Sequence, residues 1–365
     1  MINEKIESTS QVSPITPERL ALAKSAYTTR LVDKSTVRTL LNGNRQPRSG
    51  DLVLARVEKI GHHKRIELAH GRRAPLFLGD EIIVSYGHRY APDQFESEVP
   101  SDLSECHLVA GGGIASRCLA RHDKARIATR IQPLGLLGDA EGKPINMADW
   151  TVPKCEVKRP RPFVITVVGT AMNAGKTTTA AHLIKGLSRS GMKVGGAKLT
   201  GTGAGGDRWL MTDAGALEVV DFTDAGFAST YRASLAQLEQ IHSHLMGHLQ
   251  NLGTEAIVLE IADGLFQQET AMLLESPLFK NSVDAIVFAA GDAMGANGGA
   301  EWLRQRNLPI VALSGCVSAS PLAAREAQHV TGLPMLNLNE LSSPNIAVQM
   351  FELCGEIMEQ ASKAS

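Results

Sequence analysis

The apolar run Val164-Ile165-Thr166-Val167-Val168 leads into Gly169-Thr170-Ala171-Met172-Asn173-Ala174-Gly175 and then Lys176-Thr177-Thr178-Thr179, and this stretch constrains the chain more than any other. β-Branched residues favour a strand, small residues permit a tight loop, and the continuation suits the first turn of a helix. That order is the setting of a phosphate-binding loop, in which backbone N–H groups wrap a polyphosphate at a helix N-terminus. The residues expected to line it are Gly169, Thr170, Asn173, Ala174, Gly175, Lys176, Thr177 and Thr178. Lys176 would reach the terminal phosphates, and Thr177 would give its hydroxyl to Mg²⁺. The spacing is irregular, because counting back from Gly175 puts the usual first glycine on Thr170, with Gly169 one residue earlier.

Gly169-Thr170 followed by Gly175-Lys176-Thr177 resembles the loop of dethiobiotin synthetase and its amidoligase relatives. Two further segments follow in that family's order. Met192-Lys193-Val194-Gly195-Gly196-Ala197-Lys198-Leu199-Thr200-Gly201 has the form of a strand ending in a lysine before a short loop, and Ala256-Ile257-Val258-Leu259-Glu260-Ile261-Ala262-Asp263-Gly264 brings a carboxylate to a strand end. The family's aspartate shortly after the first glycine is replaced by Ala171. A second resemblance is to the family that includes D-glutamate N-acetyltransferases, carried by Thr200-Gly201-Thr202-Gly203-Ala204-Gly205-Gly206-Asp207 and by Val219-Val220-Asp221-Phe222-Thr223-Asp224-Ala225-Gly226. The first resemblance implies ATP, Mg²⁺ and phosphoryl transfer to a small anionic, carboxylate-type substrate. The second implies an acyltransferase whose loop holds acetyl-CoA. Both cover about residues 160–335.

Alternating strands and helices after residue 163 imply an α/β domain with a parallel P-loop sheet. Strands are expected over 163–168, 192–199, 255–261, 283–290 and 308–313, with helices over 176–190, 232–251, 299–306 and 321–331. Ligands of such sheets sit beyond the carboxyl ends of the strands, so Lys176, Lys198 and Glu260 are expected at one catalytic site, with Asp263, Gly291-Asp292 and Ser314-Gly315 on the same edge. Thr177 and Glu260 are the expected Mg²⁺ ligands, with Asp207, on a loop after the glycine run, as a third candidate.

The first half reads differently. Thr16-Pro17-Glu18 is a helix start, giving a helix expected over 17–29 and a second over 34–41 within a helical segment spanning 1–48. Short strands over 51–60, 64–69, 74–78 and 81–86 lie between glycine and proline turns, so 49–151 reads as a smaller, mostly β domain of barrel or sandwich form. Residues 152–162, rich in proline and basic side chains, are the expected linker to a nucleotide-binding domain over 163–355. The loop Tyr86–Glu96 concentrates aromatic and charged groups in a chain with 4% aromatics, which marks it as an accessory binding element.

Net charge of −1 gives no field for nucleic acid or an anionic membrane. The five cysteines are scattered, with no Cys-x-x-Cys pair, and neither Cys118 nor Cys316 has a sequence neighbour that would activate its thiol. Residues 1–7 are charged and lack a leader core, and no apolar run spans a bilayer, so a cytoplasmic chain is expected. A homo-oligomer is compatible with all of this. His244 and His248 have a metal-like spacing but are expected to be solvated on the polar face of their helix. Three function classes stay open: an ATP-dependent ligase-like or kinase-like transferase, an N-acyltransferase, and a regulatory P-loop nucleotidase.

Overall fold

The computed structural model describes residues 11–154 and 156–364. Cys155 and the charged start at residues 1–7 lie outside the described residues. The chain divides into two compact units. Unit 1 holds the residues up to Thr151 together with Thr202–Gly205 and Thr223–Tyr231; unit 2 holds Val152–Gly201, Gly206–Phe222 and everything from Arg232 on.

Unit 1 begins with β1 (Gln11–Pro14) and α1 (Pro17–Leu22), followed by β2 (Lys24–Ser25), β3 (Thr39–Asn42), β4 (Leu52–Lys59), β5 (Arg65–Glu67) and β6 (Arg73–Pro75). It continues through β7 (Glu81–Tyr86), β8 (Arg89–Tyr90), β9 (Phe95–Glu98), β10 (Cys106–Ala110), β11 (Ile114–Arg121) and β12 (Thr129–Gly138). The pairings close on themselves, from β12 to β4, β7, β11, β10 and back to β12, so these five strands form a barrel. Closure removes the exposed edges that an open sheet would leave. The interior is filled by Val53, Ala55, Val57, Ile82, Val84, Leu108, Ala115 and Ile131, all fully or almost fully buried.

The opening segment departs from expectation. Thr16 caps α1 and Pro17 sits in its first turn, but the helix stops at Leu22 rather than Thr29. Lys24 and Ser25 pair with β7 instead, and Ala26 N–H donates to Ile83 O at 2.9 Å, so sheet pairing outweighs helix propensity there. The second expected helix is one 3₁₀ turn at Lys34–Thr36, after which Thr39–Asn42 joins the sheet as β3. Tyr86–Glu96 is no plain loop either: it holds the end of β7, all of β8 and the start of β9, with Tyr86, Arg89 and Phe95 buried.

Unit 2 carries β13 (Phe163–Gly169), α2 (Lys176–Arg189), β14 (Val194–Lys198), α3 (Gly206–Asp213), β15 (Glu218–Asp221), α4 (Leu235–Asn251) and β16 (Ala256–Glu260). Then come α5 (Gln268–Glu275), α6 (Pro277–Ser282), β17 (Ala285–Ala289), α7 (Ala293–Arg304), β18 (Ile310–Ser314), α8 (Pro321–Thr331), α9 (Leu338–Leu341) and α10 (Ile346–Ala364). Six strands in the order β15-β14-β16-β13-β17-β18 pair in parallel throughout. Every residue of β16, β17 and β18 is buried, as strands covered on both faces require. Strand order reverses around β13, which places its carboxyl end at a switch point where ligands bind. Among the described residues no helix is long and apolar enough to cross a membrane.

Candidate functional site: a phosphate-binding loop and its carboxylate

Strand β13 ends at Gly169, and Thr170 N–H donates to Ala289 O on the neighbouring β17 at 3.0 Å, which fixes where the loop leaves the sheet. A Cβ on Gly169 would come within 2.7 Å of Ala289 O and 2.9 Å of Lys176 Cγ, so only glycine lets the loop fold this tightly. At the other end Gly175 caps α2 in the left-handed region, with φ 96°, and Asn173 adopts φ 67°. These two turns curl 170–175 around the helix N-terminus, the geometry that gathers backbone N–H groups for an anion. The loop is braced from outside, because Cys316 N–H donates to Ala174 O at 3.0 Å and the Cys316 thiol to Asn173 O at 3.3 Å.

Lys176 is buried and its Nζ donates to Ala171 O at 2.8 Å, folding the ammonium back over its own loop. Burial pushes its pKa below the usual lysine range, while the nearby carboxylates of Glu260 and Asp263 pull it up. Thr177 Oγ1 donates to Glu260 Oε1 at 2.9 Å. Glu260 is 2% exposed, and its other carboxylate oxygen, Oε2, is buried with no hydrogen-bond partner among the described residues.

Sheet register explains the rest. Val167 on β13 and Lys198 on β14 both lie opposite Glu260, so the strand ends bring these residues to one height. Lys198 Nζ lies 3.9 Å from Glu260 Oε1 and forms an ion pair with Asp207. Asp207 stands in the first turn of α3, not on a mobile loop, because the glycine run gives way to helix at Gly206. The structure therefore joins Thr177, Glu260, Lys198 and Asp207 in one chain of contacts, with Lys176 next to Thr177 in sequence and bonded to its own loop.

Other expected members of this edge have structural tasks. Asp292 caps α7 by accepting from Gly295 N–H at 2.7 Å, and the buried Ser314 hydroxyl donates to Leu336 O at 2.8 Å. His244 is not solvated: it is buried with Nε2 2.8 Å from Val152 O, since the connector covers that face of α4. Among the described residues no cluster of His, Cys, Asp and Glu could hold a metal by side chains of that kind alone.

Sequence reasoning missed part of one wall of the site. Gly175, Thr178, Gly315, Cys316, Ser318, Asn337 and Asn339 border a cavity of about 590 Å³ beside the loop. Asn337 and Asn339 follow no strand assigned from the sequence, and Cys316 meets the loop across 143 residues of chain.

No protein-family model matches the chain, and no curated protein does. Solved structures similar to it include the signal recognition particle 54 kDa protein from Aeropyrum pernix K1 in complex with GDP, at 21% identity over 56% of this chain and 51% of the other, with a TM-score of 0.36. The signal recognition particle receptor FtsY from Elizabethkingia anophelis in complex with GDP is 16% identical, over 50% of this chain and 58% of the other, with a TM-score of 0.35. The cell division protein FtsY from Thermotoga maritima is 17% identical, over 52% and 66%, with a TM-score of 0.34. The chain thus spans between about half and two thirds of the length of these structures. By its own strand order, loop and lysine, unit 2 is a P-loop domain.

Proposed function

We propose that this protein is a Mg²⁺-dependent, ATP-using transferase that moves the γ-phosphoryl group onto a small anionic substrate of carboxylate type. The observation that carries the reading is the Thr177 to Glu260 contact beside an orphaned Glu260 oxygen. A buried carboxylate oxygen without a donor is costly, and a hard cation relieves it. One hydroxyl and one carboxylate suit Mg²⁺, which keeps most of its waters and takes few protein oxygens. Bound by Thr177 and Glu260, the ion would neutralise charge on the phosphate oxygens.

Lys176 would exchange Ala171 O for the terminal phosphates, at little reorganisation cost because its stem is already packed. Lys198 stands one strand away and would offset the charge that builds on the transferred group, with Asp207 holding it in position. A carboxylate oxygen of the substrate attacks the γ-phosphorus while the bond from that phosphorus to the β–γ bridging oxygen breaks. The products are an acyl phosphate and ADP.

The cavity next to the loop favours adenine. Its wall offers the amides of Asn337 and Asn339 and the hydroxyls of Thr178 and Ser318, with no carboxylate. Guanine presents two adjacent N–H donors that a carboxylate meets best, whereas adenine's donor and acceptor match an amide. The acyl-coenzyme A reading shares the loop but gives Glu260 and Lys198 no task.

Calorimetric titration with Mg·ATP, Mg·GTP and acetyl-CoA separates the readings. Mg·ATP should bind and lose affinity when EDTA removes the metal. ADP release should then depend on an added carboxylate, and hydroxylamine should trap the acyl phosphate as a hydroxamate. Lys198→Ala should leave ATP affinity within about threefold and lower turnover by at least tenfold. Binding of acetyl-CoA with indifference to Mg·ATP would move the assignment to acyl transfer. Carboxylate-independent hydrolysis would move it to a nucleotidase.

A further inference from the structure

The nucleotide reading uses nothing from the β8–β9 hairpin of unit 1. Its register sets Tyr90 opposite Glu96, and Glu96 opposite Ala120 on β11, so the three share one face of the sheet. Tyr231, from the 223–231 segment of the same unit, lies over that row. Its ring sits 5.6 Å from that of Tyr90 at a 45° tilt, and its hydroxyl donates to Glu96 Oε1 at 3.1 Å. With Pro92, Gln94, Phe95, Arg121 and His122 these residues wall a cavity of about 330 Å³. That is the lower end of the size range of small-molecule sites, roughly 300–1,000 Å³.

The polar part of the wall is rich in donors. Gln94 Oε1 accepts from buried Arg89 at 2.9 Å, which leaves the Gln94 amide N–H₂ to donate. His122 Nδ1 accepts from Lys124 N–H at 3.1 Å, so the proton of the neutral ring sits on Nε2, another donor. Arg121 gives one N–H to Ala125 O at 2.6 Å and, among the described residues, has no carboxylate partner for its charge. The one acidic side chain in the wall, Glu96, already accepts from Tyr231. Three donors, one of them permanently charged, face an apolar side made of Tyr90, Pro92, Phe95 and Tyr231.

We propose that this cavity is a binding site for a small monocarboxylate with a flat apolar body. Arg121 takes the carboxylate, supported by Gln94 and His122, and the Tyr90–Tyr231 pair takes the body. Glu96 at the Tyr231 end repels a second negative charge, so a dicarboxylate fits less well.

The full chain titrated with benzoate, benzamide and terephthalate, followed by calorimetry or ligand-observed saturation-transfer NMR, tests this. Benzoate should bind, with benzamide and terephthalate each at least tenfold weaker. Arg121→Gln, at an exposed position, should weaken benzoate at least tenfold with an unchanged melting midpoint, and Gln94→Leu should weaken it about threefold. Equal binding of benzamide, undiminished binding by Arg121→Gln, or no benzoate binding at about 10 mM would each overturn the proposal. The titration needs no nucleotide, so its outcome is independent of the Mg·ATP experiment.

Discussion

In unit 2 the central strands β16, β17 and β18 are buried along their whole length, whereas in unit 1 strands such as β9 and β12 alternate buried and part-exposed positions. A parallel sheet covered on both faces admits charged side chains only where its strands end. Glu260, Lys198 and the residues around Lys176 accordingly converge there. A small, mostly antiparallel barrel exposes part of every strand, so its polar groups are spread around the outside and a site has to be assembled from a hairpin and a covering segment. The difference shows that the location of chemistry follows from how completely each sheet is buried.

The largest test of this contrast is Lys176→Ala. It removes the ammonium that folds over the loop, and nucleotide affinity and turnover should both fall by at least about 100-fold, read by calorimetry and ADP release. Because burial depresses this lysine's pKa, wild-type affinity should also decline as pH rises, beginning below the usual titration range of lysine. The sign follows from the charged form being the one that binds phosphate. An affinity flat up to the normal lysine range would remove Lys176 from that role.

Two glycines sharpen the comparison at the level of packing. A Cβ on Gly186 in α2 would lie 2.1 Å from Leu341 O, and one on Gly61 in the barrel 2.2 Å from Ile127 O. Both obstacles are backbone, which cannot rotate away. Each alanine substitution should cost about 3 kcal/mol, and hydrogen exchange should rise in unit 2 for Gly186→Ala and in unit 1 for Gly61→Ala. Loss of protection across both units from either change would break the division.

Each unit also shields a histidine from water, in part at His63 and fully at His242. Burial, reinforced by the charge of Arg89, holds His63 of unit 1 down to about 3, although its bond to Val109 O pulls the other way; burial alone holds His242 of unit 2 down to about 4. In the unfolded chain both titrate near 6.5. Above that pH neither costs stability; as pH falls toward 4 the unfolded state takes up protons that the native state refuses, and stability drops by up to about 1.4 kcal/mol per pH unit for each histidine. His63→Gln and His242→Gln should each flatten the acid limb of a urea-unfolding series between pH 6.5 and 4. An unchanged slope would assign the acid loss to other groups.

What the sequence made legible follows the same division. The order of β13, loop and α2 is local, and the apolar strands announce themselves by composition, so Lys176, Thr177 and Glu260 were accessible before any coordinates. Partners distant in sequence were not. The Asp207 to Lys198 pair depends on α3 starting at Gly206, which a glycine-rich run conceals, and the bracing of the loop by Cys316 spans 143 residues. In unit 1 the tertiary pairing of Lys24–Ser25 with β7 overrode a good helix pattern, and β8 and β9 were hidden by the proline and polar residues of Tyr86–Glu96. Barrel closure itself rests on β10 pairing with both β11 and β12, a relation that no single segment encodes.

The smallest expected effect compares two helix caps. Ser234 begins α4 with a full capping box: its hydroxyl accepts from Gln237 N–H at 3.3 Å, and the Gln237 side chain returns to Ser234 N–H at 2.9 Å. Among the described residues Thr16 accepts only from Arg19 N–H, also at 3.3 Å, with no reciprocal bond to its own N–H. The helices differ as well, since α4 runs 17 residues and packs Leu238, Ile241, Leu245 and Leu249 into the core, while α1 runs six and buries Leu20 alone. Ser234→Ala strands the Gln237 N–H and removes the hydroxyl's own bond to the Gln237 side chain, on a helix that the fold depends on, and should cost about 1 kcal/mol. Thr16→Ala frees one exposed donor that water can meet, and should cost about 0.5 kcal/mol or less. Chemical denaturation of both variants measures the difference, and a larger loss from Thr16→Ala would mean that α1 anchors unit 1 far more than its single buried side chain indicates.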